Sequence, residues 1–262
     1  MDLGLQGKTG LINGGSAGLG YAAAMMLARE GVELFISARG EERLLAACKT
    51  IANEAGVEVT PVVADHATEE GRLSILNACP RPDIFIGTSS PPRLVLDYRT
   101  VTEDELRQAI EIGLISPFSF IQSIAEGMAS RGWGRIVNIA SSAVKFPMQI
   151  RILSGGPRAA LVNYTVAIAK ALAGSNVTIN TLLPALHLTE GTRSIFEPIA
   201  QARGVQYEDE IARQVQTLAI PAGRFGDPQD FGALVAFFCS AQACYVTGQS
   251  LVVDGGLTNS MV

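Results

Sequence analysis

The chain has 262 residues, of which 48% are apolar and 17% charged, and its net charge at pH 7 is −5. This composition fits one globular domain spanning residues 1–262 and excludes a disordered chain, while the scattered basic residues argue against nucleic acid as a partner. The chain opens without a signal-peptide pattern and has no apolar run of roughly 18 residues, so we expect a soluble, cytoplasmic protein that does not bind membranes.

Short apolar runs alternate with longer segments of helical period along the whole chain. We predict strands near residues 9–13, 32–38, 57–64, 83–87, 135–141, 177–183 and 250–253. Alternating strands and helices favour parallel pairing. The pattern therefore predicts an α/β fold, a Rossmann-type, doubly wound, seven-stranded parallel sheet with helices on both faces.

The first strand runs into a glycine-rich turn that opens a helix, which is the context of a phosphate-binding loop. Gly14 permits the tight turn, Gly18 lets the backbone approach a pyrophosphate, and Gly20 lets the helix pack close to the strand. We therefore predict a dinucleotide site here, in which Ser16 and Leu19 also contact the cofactor.

The ends of the next two strands indicate which dinucleotide binds. The second strand ends at Ser37-Ala-Arg39, without the acidic residue that binds the ribose hydroxyls of NAD. Arg39 can instead pair with a 2′-phosphate, so NADP(H) is favoured over NAD(H). Asp65 ends the third strand and is placed to meet the adenine. A solvated surface charge is the alternative for Arg39.

Helix signals follow in the second half of the chain. Thr102 and Glu105 form a capping-box pattern, Asp227-Pro228 marks another helix start, and Pro117 predicts a kink within residues 103–131. The cysteines show no C-x-x-C spacing, so we expect no metal site.

The longest insertion lies between the last two strands, at about residues 188–225, and is the natural place for a helical substrate lid. Ile195, Phe196 and Ile199 share one helix face. A second face carries Ile211, Val215 and Leu218. Packing against the domain is the other interpretation of both faces.

Four segments together resemble the short-chain dehydrogenase/reductase family, especially its 3-oxoacyl-[acyl-carrier-protein] reductase-like members. They are the glycine turn 14–20, residues 134–141 (GRIVNIAS), residues 180–184 (NTLLP) and residues 245–256 (YVTGQSLVVDGG). The resemblance covers nearly the whole chain. It implies hydride transfer between NAD(P)H and a carbonyl of a small-molecule substrate, in a homotetramer or homodimer. It further implies that Thr88, Pro184 and Thr189 contact the cofactor.

The family's catalytic tyrosine and lysine are replaced in this chain. Ser141 occupies the position of the serine that orients the carbonyl, but Ser154 stands at the tyrosine and Arg158 at the lysine. The family's asparagine in the long fourth helix corresponds to Gly113, and its Asn-Asn-Ala-Gly segment reads Gly-Thr-Ser-Ser at residues 87–90. Tyr164 lies ten residues after the position of the catalytic tyrosine, so we expect it to pack against the domain rather than to take part in catalysis.

These replacements leave the proton source open. Arg158 keeps a positive charge for ribose hydroxyls or a developing alkoxide, but a guanidinium does not give up a proton. We consider water, Ser154 with water, or His187, which follows Pro184 and titrates near neutral pH. Lys145 and Arg151, between the two serines, either bind an anionic substrate or are solvated.

Three functions fit these residues. The first is an NADP(H)-dependent carbonyl/alcohol oxidoreductase with an atypical active site. The second is a dinucleotide-binding sensor or structural partner without redox turnover. The third is a non-redox enzyme such as a dehalogenase or lyase, suggested by the arginine but opposed by the intact glycine turn.

Overall fold

Seven strands form one sheet in the computed structural model, which describes residues 2–258. They are β1 (Thr9–Asn13), β2 (Glu33–Ala38), β3 (Val59–Val63), β4 (Ile84–Gly87), β5 (Gly134–Ile139), β6 (Val177–Pro184) and β7 (Ser250–Val253). All pairings are parallel, in the order β3-β2-β1-β4-β5-β6-β7. The predicted doubly wound sheet is confirmed. Residues 1 and 259–262 of the predicted domain lie outside the described residues.

Helices cover both faces of the sheet, as predicted. Those within residues 2–258 are α1 (Gly18–Arg29), α2 (Glu41–Ala55), α3 (Glu69–Ala78), α4 (Glu103–Ile110), α5 (Ser116–Ser130), α6 (Ile152–Ala173), α7 (Glu190–Arg203), α8 (Tyr207–Thr217) and α9 (Pro228–Cys239). One apolar core joins α1, α2 and α9 to the sheet, and a second joins α3, α5 and α6 to its other face. Every residue of β5 and β6 is buried, because these strands are covered on both sides. No helix in the described part of the chain is both long and apolar enough to cross a membrane.

The direction of winding reverses between β1 and β4. The chain proceeds from β1 outward to β3, then crosses back and continues from β4 to β7. At such a switch point the helices leave in opposite directions and open a crevice beyond the carboxyl ends of the strands. The fold therefore places a ligand site where β1 and β4 end.

The long helical segment contains an irregular turn just before Pro117. Residues Glu111–Ile115 form a π-helical turn between α4 and α5, and Pro117 occupies the first turn of α5, where its missing N–H is tolerated. The predicted capping box at Thr102 is present, with the Glu105 N–H donating to Thr102 Oγ1 at 3.2 Å. Asp227 caps α9 as predicted. The irregularity thus lies in the turn that carries Gly113.

The insertion at 188–225 folds into α7 and α8. Phe196 packs on Phe225, and Ile195, Ile211 and Val215 join the same cluster, so the two predicted apolar faces meet each other. Ile199 and Leu218 are more than a third exposed, at 38% and 39%. This unit has a small core of its own, and its role as a lid stays a prediction.

Candidate functional site

The glycine turn packs directly against the residue that follows β4. Gly14 and Gly18 have φ angles of +79° and +59°, in the left-handed region that favours glycine. A Cβ on Gly14 would lie 2.8 Å from the Thr88 carbonyl oxygen. A Cβ on Gly20 would overlap the carbonyl oxygen of Gly14. The turn therefore closes only because these positions carry no side chain.

The N-terminus of α1 is open to a ligand. Its N-cap residue, Ala17, offers no side-chain acceptor to the N–H groups of the first turn. A Cβ on Gly18 would meet only Thr189, at 3.9 Å. Free N–H groups and the positive end of a helix bind phosphate, so this cradle fits a dinucleotide pyrophosphate.

Three further residues predicted to contact the cofactor, Ser16, Leu19 and Thr88, lie in or beside this cradle. Asn13 Nδ2 donates to the Thr88 carbonyl oxygen at 3.3 Å, and Ser37 Oγ donates to Asn13 Oδ1 at 2.9 Å, which ties the ends of three strands together. Ser16 is buried within the turn and Leu19 is half-buried.

Two predicted cofactor contacts come from the end of β6. Pro184 is its last residue and is buried. Thr189 caps α7, because its Oγ1 accepts a hydrogen bond from the Thr192 N–H at 3.2 Å. The structure thus brings Thr189 to Gly18, although the two residues are far apart in the chain.

Arg39 and Asp65 meet at the ends of β2 and β3. Arg39 Nη1 lies 3.9 Å from Asp65 Oδ2, and the arginine side chain is 62% exposed. Asp65 Oδ1 accepts a hydrogen bond from the Ala67 N–H at 2.9 Å, which fixes the carboxylate. A long, exposed ion pair of this kind is weak, so the guanidinium is available to a phosphate.

Ser141 begins the turn that leads from β5 towards α6. Its Oγ accepts a hydrogen bond from the Ala143 N–H at 3.2 Å, which leaves the hydroxyl proton free. A Cβ on Gly155 would lie 2.9 Å from the Ala143 carbonyl oxygen. The glycine therefore lets the start of α6, with Ser154, approach the Ser141 turn closely.

Arg158 is buried next to the π-helical turn, with 4% of its surface exposed. Its Nη1 donates to Ser154 Oγ at 3.2 Å, and its Nη2 donates to Ser89 Oγ at 2.8 Å. A Cβ on Gly113 would lie 3.0 Å from Pro157 Cβ and 3.7 Å from Arg158 Nη1. Because the contact with Pro157 is the tight one, the absence of a side chain at Gly113 lets α6 pack closely against the π-helical turn, next to the guanidinium.

The charge on Arg158 has no carboxylate partner within residues 2–258. Burial, and to a smaller degree the charge of Arg151, lowers the pKa of Arg158 to about 10. The side chain is therefore still a cation near neutral pH. It is a fixed positive charge, not a proton donor.

A small cavity of about 20 Å³ lies beside Arg158, at the ends of β1, β4 and β5. Its lining includes Asn13, Thr88, Ser89, Ile112, Gly113, Ile139 and Arg158. Beside Gly87, the buried Asn138 amide has no hydrogen-bond partner in the described chain, and a Cβ on Gly87 would lie 2.7 Å from Asn138 Oδ1. This volume matches about one water molecule.

His187, the candidate replacement acid, is buried just after the end of β6. Its ring packs edge-on against Phe231 of α9, with ring centroids 5.2 Å apart, and a Cβ on Gly226 would touch it. Burial lowers its pKa, so the ring is neutral near pH 7. These contacts favour a packing role, and a catalytic role for His187 stays a prediction. Tyr164 packs against Phe118, as expected, with ring centroids 4.8 Å apart.

Sequence reasoning missed two residues of this region. Ser89 holds Arg158, and its signal was the departure of residues 87–90 from the family's Asn-Asn-Ala-Gly. Asn138 lies inside the family-like segment 134–141, and nothing in the sequence marks its amide as unpaired.

Within the described residues, no three His, Cys, Asp or Glu side chains are grouped to hold a metal ion.

Comparison with known proteins finds similarity to reductases over nearly the whole chain. The sequence profile of a family described as enoyl-(acyl carrier protein) reductase matches residues 14–258. The 3-oxoacyl-[acyl-carrier-protein] reductase FabG of Aquifex aeolicus is 32% identical over 262 residues, covering 98% of this chain and 100% of the relative.

Two solved structures share the complete fold. The L-sorbose reductase of Gluconobacter frateurii, in complex with NADPH and L-sorbose, superposes with a TM-score of 0.94 at 25% identity and covers 100% of both chains. A variant of the actinorhodin polyketide ketoreductase with NADPH has a TM-score of 0.85 at 27% identity, covering 97% of this chain and 98% of the other.

Proposed function

We propose that this chain, which belongs to the short-chain dehydrogenase/reductase family, is an NADP(H)-dependent oxidoreductase that acts on a carbonyl or the matching alcohol. The observation that carries the proposal is the buried, unpaired Arg158 beside an intact dinucleotide cradle. A fixed cation at the end of β4 and β5 is suited to the negative charge that develops on a carbonyl oxygen during reduction.

Each residue of the site has a distinct role in this proposal. Held at the glycine turn of Gly14 and Gly18, the cofactor would supply hydride to the carbonyl carbon, or accept it in the reverse direction. Ser141 donates its free hydroxyl proton in a hydrogen bond to the carbonyl oxygen. Arg158 stabilises the oxyanion, and Ser154 and Ser89 hold its guanidinium in place. Since neither serine nor arginine titrates near neutral pH, the proton comes from water.

The preference for NADP(H) rests on Arg39 and on the bound NADPH of two structural neighbours. We expect Arg39→Ala to raise the Kd for NADPH by about 10- to 100-fold, because charge-assisted hydrogen bonds contribute roughly 1.5–3 kcal/mol each. The Kd for NADH should stay within about twofold, since NADH lacks the 2′-phosphate. Fluorescence titration of both cofactors checks this.

A matched control separates Arg39 from surface charge in general. Arg107 is also exposed, at 74%, and makes an ion pair with Glu103 on α4. Arg107→Ala should leave both dissociation constants unchanged. If Arg39→Ala raises the Kd values for NADPH and NADH equally, Arg39 does not bind the 2′-phosphate.

Turnover itself is tested by following NADPH absorbance in both directions. A panel of ketones is assayed with NADPH, and the matching alcohols are assayed with NADP⁺. We expect Ser141→Ala to lower kcat/KM by about 10²–10³-fold, the usual effect of removing one oxyanion donor. Ser142→Ala is the control, because Ser142 is the buried neighbour in the same turn. A Ser141→Ala variant as active as the unaltered protein would refute the assigned role.

A dinucleotide-binding protein without redox turnover is the second candidate. One observation favours it: the cavity lining within the described residues contains no His, Tyr, Lys, Asp or Glu. Tight NADPH binding with no absorbance change across the panel would support this candidate.

A substrate lid at residues 188–225 and a homotetramer or homodimer stay predictions. Light scattering of the purified protein tests the oligomeric state.

A further inference from the structure

Arg151 and Arg158 differ from the other arginines of the described chain in how their charges are balanced. Apart from these two, every arginine pairs with a carboxylate except Arg81, which is exposed, and Arg135. Arg135 is buried but donates to the carbonyl oxygens of Gly134, Asn176 and Ser240. Two unpaired arginines in one region therefore need their own explanation.

Both residues belong to one face at the start of α6. Arg151 is the N-cap residue, and Arg158 follows seven positions later, which is about two helical turns. Ser154 and Gly155 lie between them on the same face. Gly155 contacts the turn that carries Ser141, and Arg158 lines the small cavity, so this face borders both parts of the proposed site.

Both guanidinium groups are partly or fully shielded from water, so solvent screens their charges poorly. Arg151 is half-buried, and burial lowers its pKa; Arg158 is almost fully buried, and the charge of Arg151 lowers its pKa further. Arg151 makes no side-chain hydrogen bond to another described residue, and Lys145, half-buried on the facing turn, makes no ion pair with one. Buried like charges destabilise a fold unless an anion joins them.

We propose that the substrate of this enzyme carries a carboxylate, which Arg151 binds while Arg158 faces the reacting carbonyl oxygen. This inference rests on the proposed function, since it assigns the substrate class of the same site. A guanidinium binds a carboxylate through two parallel hydrogen bonds. A negatively charged substrate also balances the cations that the protein's own carboxylates leave unpaired.

The kinetic test compares keto acids with their methyl esters, which keep the ketone and carbon chain but replace the charged carboxylate by a neutral, slightly larger group. Acetoacetate, levulinate and 5-oxohexanoate place the carboxylate at increasing distance from the ketone, and each is assayed with NADPH beside its ester. We expect the unaltered protein to favour one acid over its ester in kcat/KM. Arg151→Gln should lower that acid-to-ester ratio by about 10- to 100-fold. Arg151→Lys should lower it by less, because lysine keeps the positive charge but lacks the two parallel N–H donors of arginine. Arg81→Gln, an exposed and unpaired arginine, should leave the ratio unchanged.

A binding test makes the inference independent of turnover. Calorimetry of the protein with NADP⁺ bound measures the affinity for malonate, succinate and glutarate, and we expect one of them to bind and to lose about 10- to 100-fold in affinity in Arg151→Gln. Melting curves of both Arg151 variants confirm that they fold. Carboxylate binding that depends on Arg151, without turnover of any ketone, would overturn the proposed function and leave only the carboxylate site at Arg151 standing. Equal turnover of acids and esters would overturn the inference alone.

Discussion

Replacing Arg158 with methionine is expected to lower kcat/KM for carbonyl reduction by about 10²–10³-fold, as the loss of an oxyanion donor does in other enzymes. Arg158 is the cation of the cavity lining, and Ser154 and Ser89 fix its guanidinium. Methionine matches the aliphatic part of the arginine side chain but has neither its charge nor its donors. The measurement is steady-state kinetics with NADPH and the best ketone of the panel.

The same substitution should make the protein more stable. A buried charge without a counter-ion opposes folding, and replacing even a paired set of buried ions by well-packed apolar residues is often neutral or stabilising by about 1–4 kcal/mol. In a domain of this size each kcal/mol raises Tm by about 2–4 °C. Loss of activity with a gain in Tm would identify Arg158 as a residue retained for function, at the expense of stability.

Arg135→Met is the control for this pair of effects. Arg135 is as deeply buried, but its guanidinium satisfies carbonyl oxygens of Gly134, Asn176 and Ser240 and stacks on Trp133. Its loss leaves buried acceptors unpaired, which costs about 1–3 kcal/mol for each group. Arg135→Met should therefore lower Tm. If Arg158→Met also lowers Tm and keeps its activity, Arg158 is a structural residue.

Placing a carboxylate at Gly18 is expected to raise the Kd for NADPH by about 10²–10³-fold. Gly18 begins α1 at the open cradle, and a Cβ there would meet only Thr189, at 3.9 Å. An aspartate side chain would lie close to the pyrophosphate, and two charges about 4 Å apart repel by roughly 4 kcal/mol at an effective dielectric constant near 20. Fluorescence titration with NADPH measures the loss.

The fold should tolerate Gly18→Asp. The φ angle of +59° at this position is one that aspartate and asparagine adopt more readily than other side chains. A negative charge at the start of a helix also interacts favourably with the helix dipole. Gly18→Asn, with the same shape and no charge, should lose less than about tenfold in affinity on the same electrostatic argument. If both variants lose affinity equally, the phosphates do not lie at this turn.

The scaffold of the site was predictable because its signals are local. The seven strands follow from short apolar runs, and the observed bounds differ from the predicted ones by at most two residues at either end. The turn 14–20 combines a strand end, glycines and a helix start in one stretch. Capping at Thr102 and Asp227 was predictable for the same reason, since the donor and the acceptor are three residues or fewer apart.

Contacts between distant segments were not predictable in this way. His187 follows a strand end that commonly faces the cofactor, yet its ring packs against Phe231, forty-four positions along the chain. Gly113 was recognised as a replaced asparagine, but only the structure shows that α6 packs against it through Pro157, with Arg158 alongside. Such contacts depend on the distance and angle between helices, which no short stretch of sequence encodes.

The sequence by itself determined the parallel sheet, the dinucleotide cradle and the replacement of tyrosine and lysine by Ser154 and Arg158, because each depends on residue type and on spacing along the chain. Only the tertiary structure decided that Arg158 is buried and held by Ser154 and Ser89, and that neither Arg158 nor Arg151 on the same face pairs with a carboxylate of residues 2–258. The physical reason is that the energy of a charge is set by its surroundings. Burial and the position of every opposite charge exist only once the helices have packed on the sheet.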